Sequence, residues 1–205
     1  SYEISEFNTL GVKIGDTLSF ITEFYGRKSK EGVFKLNYAL LMDEEKSKIL
    51  LKPSTIKLDR NVWTVNPLDD QKHLISYDLV DKRIDLNFFE VQSANERIEI
   101  SGNYQSSENF GLSLRIDKVS LENLGIPSKD FDFEGAMNLN LNIKRSPTDN
   151  TLKFDGFVDD FVMNDVDMGS LRFFTSGNTQ LNSYEVNLLL SEQGKSTLSA
   201  KGNIL

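Results

Sequence analysis

The sequence predicts an all-β protein, and three observations carry the prediction. From Phe131 to Lys144 one parity reads Phe, Phe, Gly, Met, Leu, Leu, Ile, and the other reads Asp, Glu, Ala, Asn, Asn, Asn, Lys. Successive side chains on a strand point to opposite faces, so this is one long strand with an oily face and a wet face. The same alternation recurs through most of the 205 residues. Helix signals are confined to two short stretches. Ser120-Leu121-Glu122-Asn123-Leu124-Gly125-Ile126-Pro127 has a Ser cap, a Gly stop and a Pro beyond it, enough for one turn. Asn66-Pro67-Leu68-Asp69-Asp70 places Pro at the first position of another. Neither sustains an amphipathic period, so at most one or two single-turn helices are expected.

The strands follow in order. Gly11 to Tyr25 is one strand-like segment and Gly32 to Met42 the next. The polar cluster Asp43 to Ser47 makes a hairpin into Ile49-Leu50-Leu51. Ile56 and Leu58 alternate with Lys57 and Asp59, and Val62 and Val65 flank Trp63. Further strands centre on Leu74 to Tyr77, Arg83 to Phe89, Arg97 to Ser101 and Gly111 to Ile116. After the long alternation come Thr151 to Met163, Leu171 to Thr175, Tyr184 to Leu190 and Thr197 to Ile204. Turn chemistry separates them at Ser106 to Asn109, Pro147 to Asn150 and Glu192 to Lys195.

Short repeats punctuate these strands. Gly102-Asn103, Gly177-Asn178 and Gly202-Asn203 each read as a strand end, and Phe133-Glu134-Gly135 is echoed by Phe154-Asp155-Gly156. A Gly inside a strand pattern marks a bulge, a bend or close backbone approach. Repeated strand-plus-bend units predict a stacked architecture.

Composition narrows the function. A formal charge of −8 and a pI near 4.8 argue against a nucleic-acid partner, which needs clustered Lys and Arg. Cysteine is absent, so there is neither a disulfide framework nor a thiolate metal site. No apolar run approaches the length of a membrane-spanning helix. Both ends fall inside strand-like patterns, so residues 1–205 read as one continuous β-rich segment of a longer chain.

No catalytic constellation emerges. The one histidine, His73, has no partner motif and reads as a solvated or hydrogen-bonded structural residue. Gly-x-Ser-x-Gly, His-Glu-x-x-His and phosphate-cradling Gly-rich loops are missing. The best metal candidate, Asp159 to Gly169, puts Val166 and Met168 where a calcium loop needs oxygen ligands, and so reads as a solvated turn between strands. No cofactor and no metal are expected. A carbohydrate-active enzyme using two carboxylates ranks third among the readings, because nothing singles out a pair.

The oily faces must be covered. Burying one Leu, Ile or Phe is worth about 1.5–3 kcal/mol, so leaving dozens in water would exceed the net stability of a domain. Either another sheet, or the folded-over half of the same sheet, closes on them. Or the sheet curls into a trough occupied by a ligand with an acyl chain. Periodicity does not choose between these.

From about Ile56 to Leu205 the chain resembles the repeating part of TamB-type proteins, within the wider AsmA-like group. The resemblance rests on an ordered series: Ser54-Thr55-Ile56-Lys57-Leu58, Val62-Trp63-Thr64-Val65, Arg83 to Phe89, and Ile98-Glu99-Ile100-Ser101-Gly102. It continues with Val119 to Ile126, Phe133 to Leu139, Phe154 to Val158, Asn164 to Leu171, and Ser199-Ala200-Lys201-Gly202-Asn203. Residues 1–50 carry less of the signature. The resemblance implies a long antiparallel sheet folded into an elongated trough, the β-taco. It also implies a non-enzymatic role in the periplasm, with the full-length protein anchored in the inner membrane and reaching an outer-membrane barrel of the TamA/BamA type. Family members are implicated in moving phospholipid between membranes and in outer-membrane protein assembly. The expected acyl-chain groove is lined by Leu86, Ile98, Ile100, Leu112, Leu114, Phe133, Leu139, Leu141, Ile143, Phe154, Val186, Leu188, Leu190 and Leu198. The rival expectation is a scaffold or chaperone-like module that offers open strand edges to outer-membrane proteins.

Overall fold

The computed structural model describes residues 4–26, 32–42, 44–58, 61–124, 132–178, 183–192 and 195–204. Over these the chain is all-β, with antiparallel strands and one 3₁₀ turn. It divides into two compact units: Ser1–Ala94 with Glu99–Gln105, and Asn95–Ile98 with Ser106–Leu205.

The first unit holds β1 (Ile4–Ile14), β2 (Thr17–Gly26), β3 (Gly32–Met42), β4 (Lys46–Leu51), β5 (Ser54–Leu58), β6 (Asn61–Val65), β7 (Leu74–Asp78) and β8 (Arg83–Ser93). Residues Glu99–Gln105 of β9 (Glu96–Ser106) also belong to it. The sheet order is β1-β2-β3-β4-β7-β8-β9, while β5 and β6 pair with each other and bridge from β3 to β8. The expected single segment from Gly11 to Tyr25 is instead two strands, β1 and β2, paired from Phe7↔Phe24 to Ile14↔Thr17. The reason is Gly15, whose φ of 59° turns the chain in the left-handed region that glycine adopts without a Cβ penalty. The alternation survives the turn, so parity alone does not reveal it.

Ala39, Trp63 and Val65 are buried here beside Asn66 and His73. Asn66–Asp70 is not a helix but a hydrogen-bonded turn, with the Asp69 amide donating to the Asn66 carbonyl at 3.1 Å. Asn66 adopts φ 48°, which asparagine tolerates, and its side chain ties the turn down. Its Nδ2 donates to the carbonyls of Leu51 at 2.8 Å and Asp70 at 2.9 Å, and its Oδ1 accepts from the Asp70 amide at 3.0 Å. His73 is hydrogen-bonded as expected, through Nδ1 to Asp70 Oδ1 at 2.9 Å, but it is buried rather than solvated. Its ring meets Phe88 edge-on at 5.1 Å. These contacts give the single histidine a structural place.

The second unit holds the remainder of β9, then β10 (Asn109–Ser120), the 3₁₀ turn Leu121–Leu124, β11 (Phe133–Ser146), β12 (Asp149–Met163) and β13 (Val166–Asp167). It continues with β14 (Ser170–Asn178), β15 (Ser183–Glu192) and β16 (Lys195–Ile204), in the order β10-β11-β12-β14-β15-β16 with β13 folded back on β12. The single-turn helix after Ser120 is present; its Gly125 and Pro127 stop signals lie outside the described residues, as does the Gln193-Gly194 turn. Gly102-Asn103, expected at a strand end, sits inside β9, whereas Gly177-Asn178 does close β14.

The core of this unit gathers around Leu121, Val158, Phe161 and Leu190, with Phe133, Met137, Met163, Met168, Leu171 and Phe173 packed against them. β11 reaches it through the bulge expected at Gly135. The β11–β12 register slips between Glu134 and Ala136, and Gly135 takes φ 130°. A Cβ there would stand 2.7 Å from Val158 Cγ1 and 2.8 Å from the Asp159 carbonyl oxygen.

Candidate functional site

The alternation on β11 becomes two surfaces. Leu139 is buried and Met137, Leu141 and Ile143 are half-buried, while Glu134, Asn140, Asn142 and Lys144 are exposed. Directly opposed residues in an antiparallel pair share a face, so the register extends the oily side of β11 into rows across the unit. One row runs Ile116–Leu139–Gly156–Phe173–Leu188–Ala200 across β10, β11, β12, β14, β15 and β16. A second carries Leu114, Leu141 and Phe154, and a third Leu112, Ile143 and Leu152. A further row contains Val119, Met137, Val158, Leu171, Leu190 and Leu198.

These rows differ in closure. The row of Val158 and Leu190 runs into the packed cluster around Leu121 and Phe161. Towards the β11–β12 hairpin the face opens, with Leu112 exposed and Ile143 and Leu152 half-buried. Between them Phe154 and Phe173 stack at 5.0 Å. Phe173 fits because Gly156 lies under it, where a Cβ would overlap the Phe173 ring.

The structure thus brings Leu112, Leu114, Leu139, Leu141, Ile143, Phe154, Val186, Leu188, Leu190 and Leu198 onto one face of the second unit. Leu190 and Phe133 belong to its closed end, where side chains already fill the space. Leu198 is exposed on β16. Leu86 lies in the first unit, opposite Ile75 in the row Leu40–Ile49–Ile75–Leu86. Ile98 and Ile100 are half-buried positions of β9 that fall in different units. Ile116, Leu152 and Phe173 complete the face and were not among the expected lining residues. The pairing of Gly156 with a bulky partner is a signal visible only once the register is known.

The opposite face is mixed: its rows set Asn138, Asn140, Asp155, Arg172 and Asn187 beside Phe157, Phe174 and Leu189, with ion pairs among its charges. Arg172 reaches Asp155 at 3.3 Å and lies over the Phe174 ring at 5.5 Å. Lys144 contacts Asp149 at 2.8 Å, and that ammonium, followed by the Thr151 hydroxyl, holds the Asp149 carboxyl below its ordinary range.

The acidic stretch Asp159 to Gly169 forms the expected turn between two strands. Asn164 and Asp165 both adopt left-handed φ, of 50° and 63°, and β13 returns along β12 through Val162↔Asp167 and Met163↔Val166. Asp159, Asp160, Asp167 and Glu192 border a polar pocket of about 310 Å³ with Ser170 and Ser191. Among the described residues, no three His, Cys, Asp or Glu side chains converge as a metal site.

No protein-family model, curated protein or solved structure matches this chain.

Proposed function

We propose that this chain is a periplasmic segment of a TamB-like envelope protein, whose apolar sheet face conducts phospholipid acyl chains between inner and outer membranes and supports outer-membrane protein assembly. The reading is non-enzymatic. One observation carries it: the sustained row structure of the β10–β16 face, whose apolar rows run across six strands. Acyl chains would engage Leu112, Leu114, Leu141, Ile143, Leu152 and Phe154, where the face is open, and would meet a wall at the Leu121–Phe161 cluster. The β11 residues of the open rows, Leu141 and Ile143, alternate with Asn142 and Lys144 facing away, so the chains slide past methyl and methylene groups. The anchor and the barrel contact belong to parts of the protein outside this segment.

A photocrosslinking residue at Leu141 tests the reading directly. In cells it should capture phospholipid. Capture of neighbouring side chains alone sinks the conduit. Leu141→Arg should block lipid movement, because an unpaired guanidinium in a dry apolar row costs several kcal/mol.

A second reading rests on β1. Among the described residues this strand pairs only with β2, and residues 6–14 are exposed. An open edge of this kind receives an extended strand by β-augmentation. A crosslinker at Asn8 that captures an unfolded outer-membrane protein, with no lipid in the purified material, would favour the scaffold role.

A further inference from the structure

Six large apolar side chains of the first unit crowd one end of its strands. Ile14 is 69% exposed, Met42 63% and Val80 73%, and Leu41, Leu79 and Ile84 are also exposed. The register places them together: Ile14 opposes Thr17, which opposes Leu41, while Met42, Ser47, Tyr77 and Ile84 form the next row. Leu41 and Met42 are consecutive, so the two rows present apolar groups on opposite faces of the sheet. Leu79 and Val80 lie beyond both, at the tip of the β7–β8 hairpin.

A folded protein partner docks on one face. Apolar groups on both faces and at the tip match a medium that surrounds the rim. Backbone groups of the tip are also hydrogen-bonded internally. The Leu79 amide donates to the Glu45 carbonyl at 2.8 Å, and the amides of Val80 and Asp81 both donate to Asp78 Oδ1 at 3.0 Å. Gln105 Nε2 donates to the Asp81 carbonyl at 3.1 Å. Backbone donors satisfied internally are what an apolar medium demands. Two of the nearby charges are paired, Lys46 with Asp78 at 3.4 Å and Arg83 with Asp85 at 2.9 Å, while Asp16, Glu44, Asp81 and Lys82 are exposed in the hairpin ends, where the polar headgroup layer accommodates charge.

We infer that this rim of hairpin ends dips into the interfacial zone of a lipid bilayer with uncharged headgroups, Val80 and Met42 entering first. The net charge of −8 sets the lipid class, since an anionic surface repels the chain. The contact is independent of the β10–β16 face.

Flotation of the whole chain with phosphatidylcholine vesicles tests it. Wild type should float, and Val80→Asp and Met42→Asp should each lower partitioning about tenfold. Leu68→Asp serves as the control, since Leu68 is 79% exposed in the Asn66–Asp70 turn that precedes the opposite end of β7; it should float like wild type. The chain has no cysteine, so Val80→Cys carries a single environment-sensitive dye whose emission should shift blue on vesicles. The inference is overturned if wild type does not float, if Leu68→Asp loses as much, if binding requires anionic phosphatidylglycerol, or if Val80→Asp instead abolishes self-association.

Discussion

Gly135 and Gly156 occupy matching places in the Phe-acid-Gly echo, yet they are glycine for different reasons. Gly135 holds φ 130° and faces the Asp159 backbone carbonyl, so any side chain meets strain and an immovable neighbour. Gly156 makes room for the ring of Phe173. Gly135→Ala should therefore cost about 2–4 kcal/mol, conformational strain plus overpacking, and no second substitution should recover it. Gly156→Ala should cost about 1–3 kcal/mol. Phe173→Leu should recover part of that, because the obstacle is a side chain. Urea unfolding of the two alanine variants, with a double-mutant cycle for the second, separates the cases; equal rescue of both would contradict the assignment. In the first unit Asn66→Ala removes three hydrogen bonds of a buried side chain at once and leaves the carbonyls of half-buried Leu51 and Asp70 without that donor. A loss of about 3 kcal/mol is expected in the same measurement.

At the scale of the strand, β11 gives a direct test of parity. Single cysteines at Asn140 and Asn142 should react with maleimide at rates near those of an unfolded chain, while a cysteine at Leu139 should react at least about tenfold more slowly. Equal rates along the strand would remove the two-faced surface on which the conduit reading depends. This two-facedness was legible in the residues, because period-2 alternation maps directly onto the pleat. So was the bulge at Gly135, since a glycine interrupting the oily row leaves a gap the partner strand can enter. Other features depend on information the alternation does not contain. The β1–β2 turn hid because Gly11 to Tyr25 keeps its mixed pattern through Gly15 and Asp16. The two-residue β13 has no pattern of its own and exists because Asn164 and Asp165 both turn left-handed. The closed end of the candidate face escaped for a related reason. Phe161 reaches the core only because Asp160, at φ 50°, shifts the parity of β12.

For the molecule as a whole, acidity shapes the response to pH. Among the described residues, four half-buried carboxyls sit below their ordinary range. Amides of Asp81 and Val80, then Lys46, hold Asp78 down; the Lys72 amide, then His73, does so for Asp70. The Tyr25 hydroxyl and then Lys35 lower Glu23, and Lys144 and then Thr151 lower Asp149. A carboxyl whose folded value is depressed contributes stability that is complete above its unfolded value, about 3.9 for Asp and 4.3 for Glu, and fades as pH falls through the folded value. Between pH 7 and the pI near 4.8 the net charge shrinks from −8 towards zero, which relieves self-repulsion. The urea midpoint should therefore hold or rise slightly from pH 7 to about 5, then fall below about pH 4. Asp78→Asn tests the cause. It keeps an oxygen that accepts from the Val80 and Asp81 amides but removes the charge that pairs with Lys46. The variant should unfold at lower urea than wild type at pH 7, and the gap should narrow as pH falls below about 3.9, the unfolded value, and on through the lower folded value, where the native carboxyl protonates. A gap that persists unchanged at pH 3 would assign the role of Asp78 to shape and hydrogen bonding, and would leave the acid limb to the other three carboxyls.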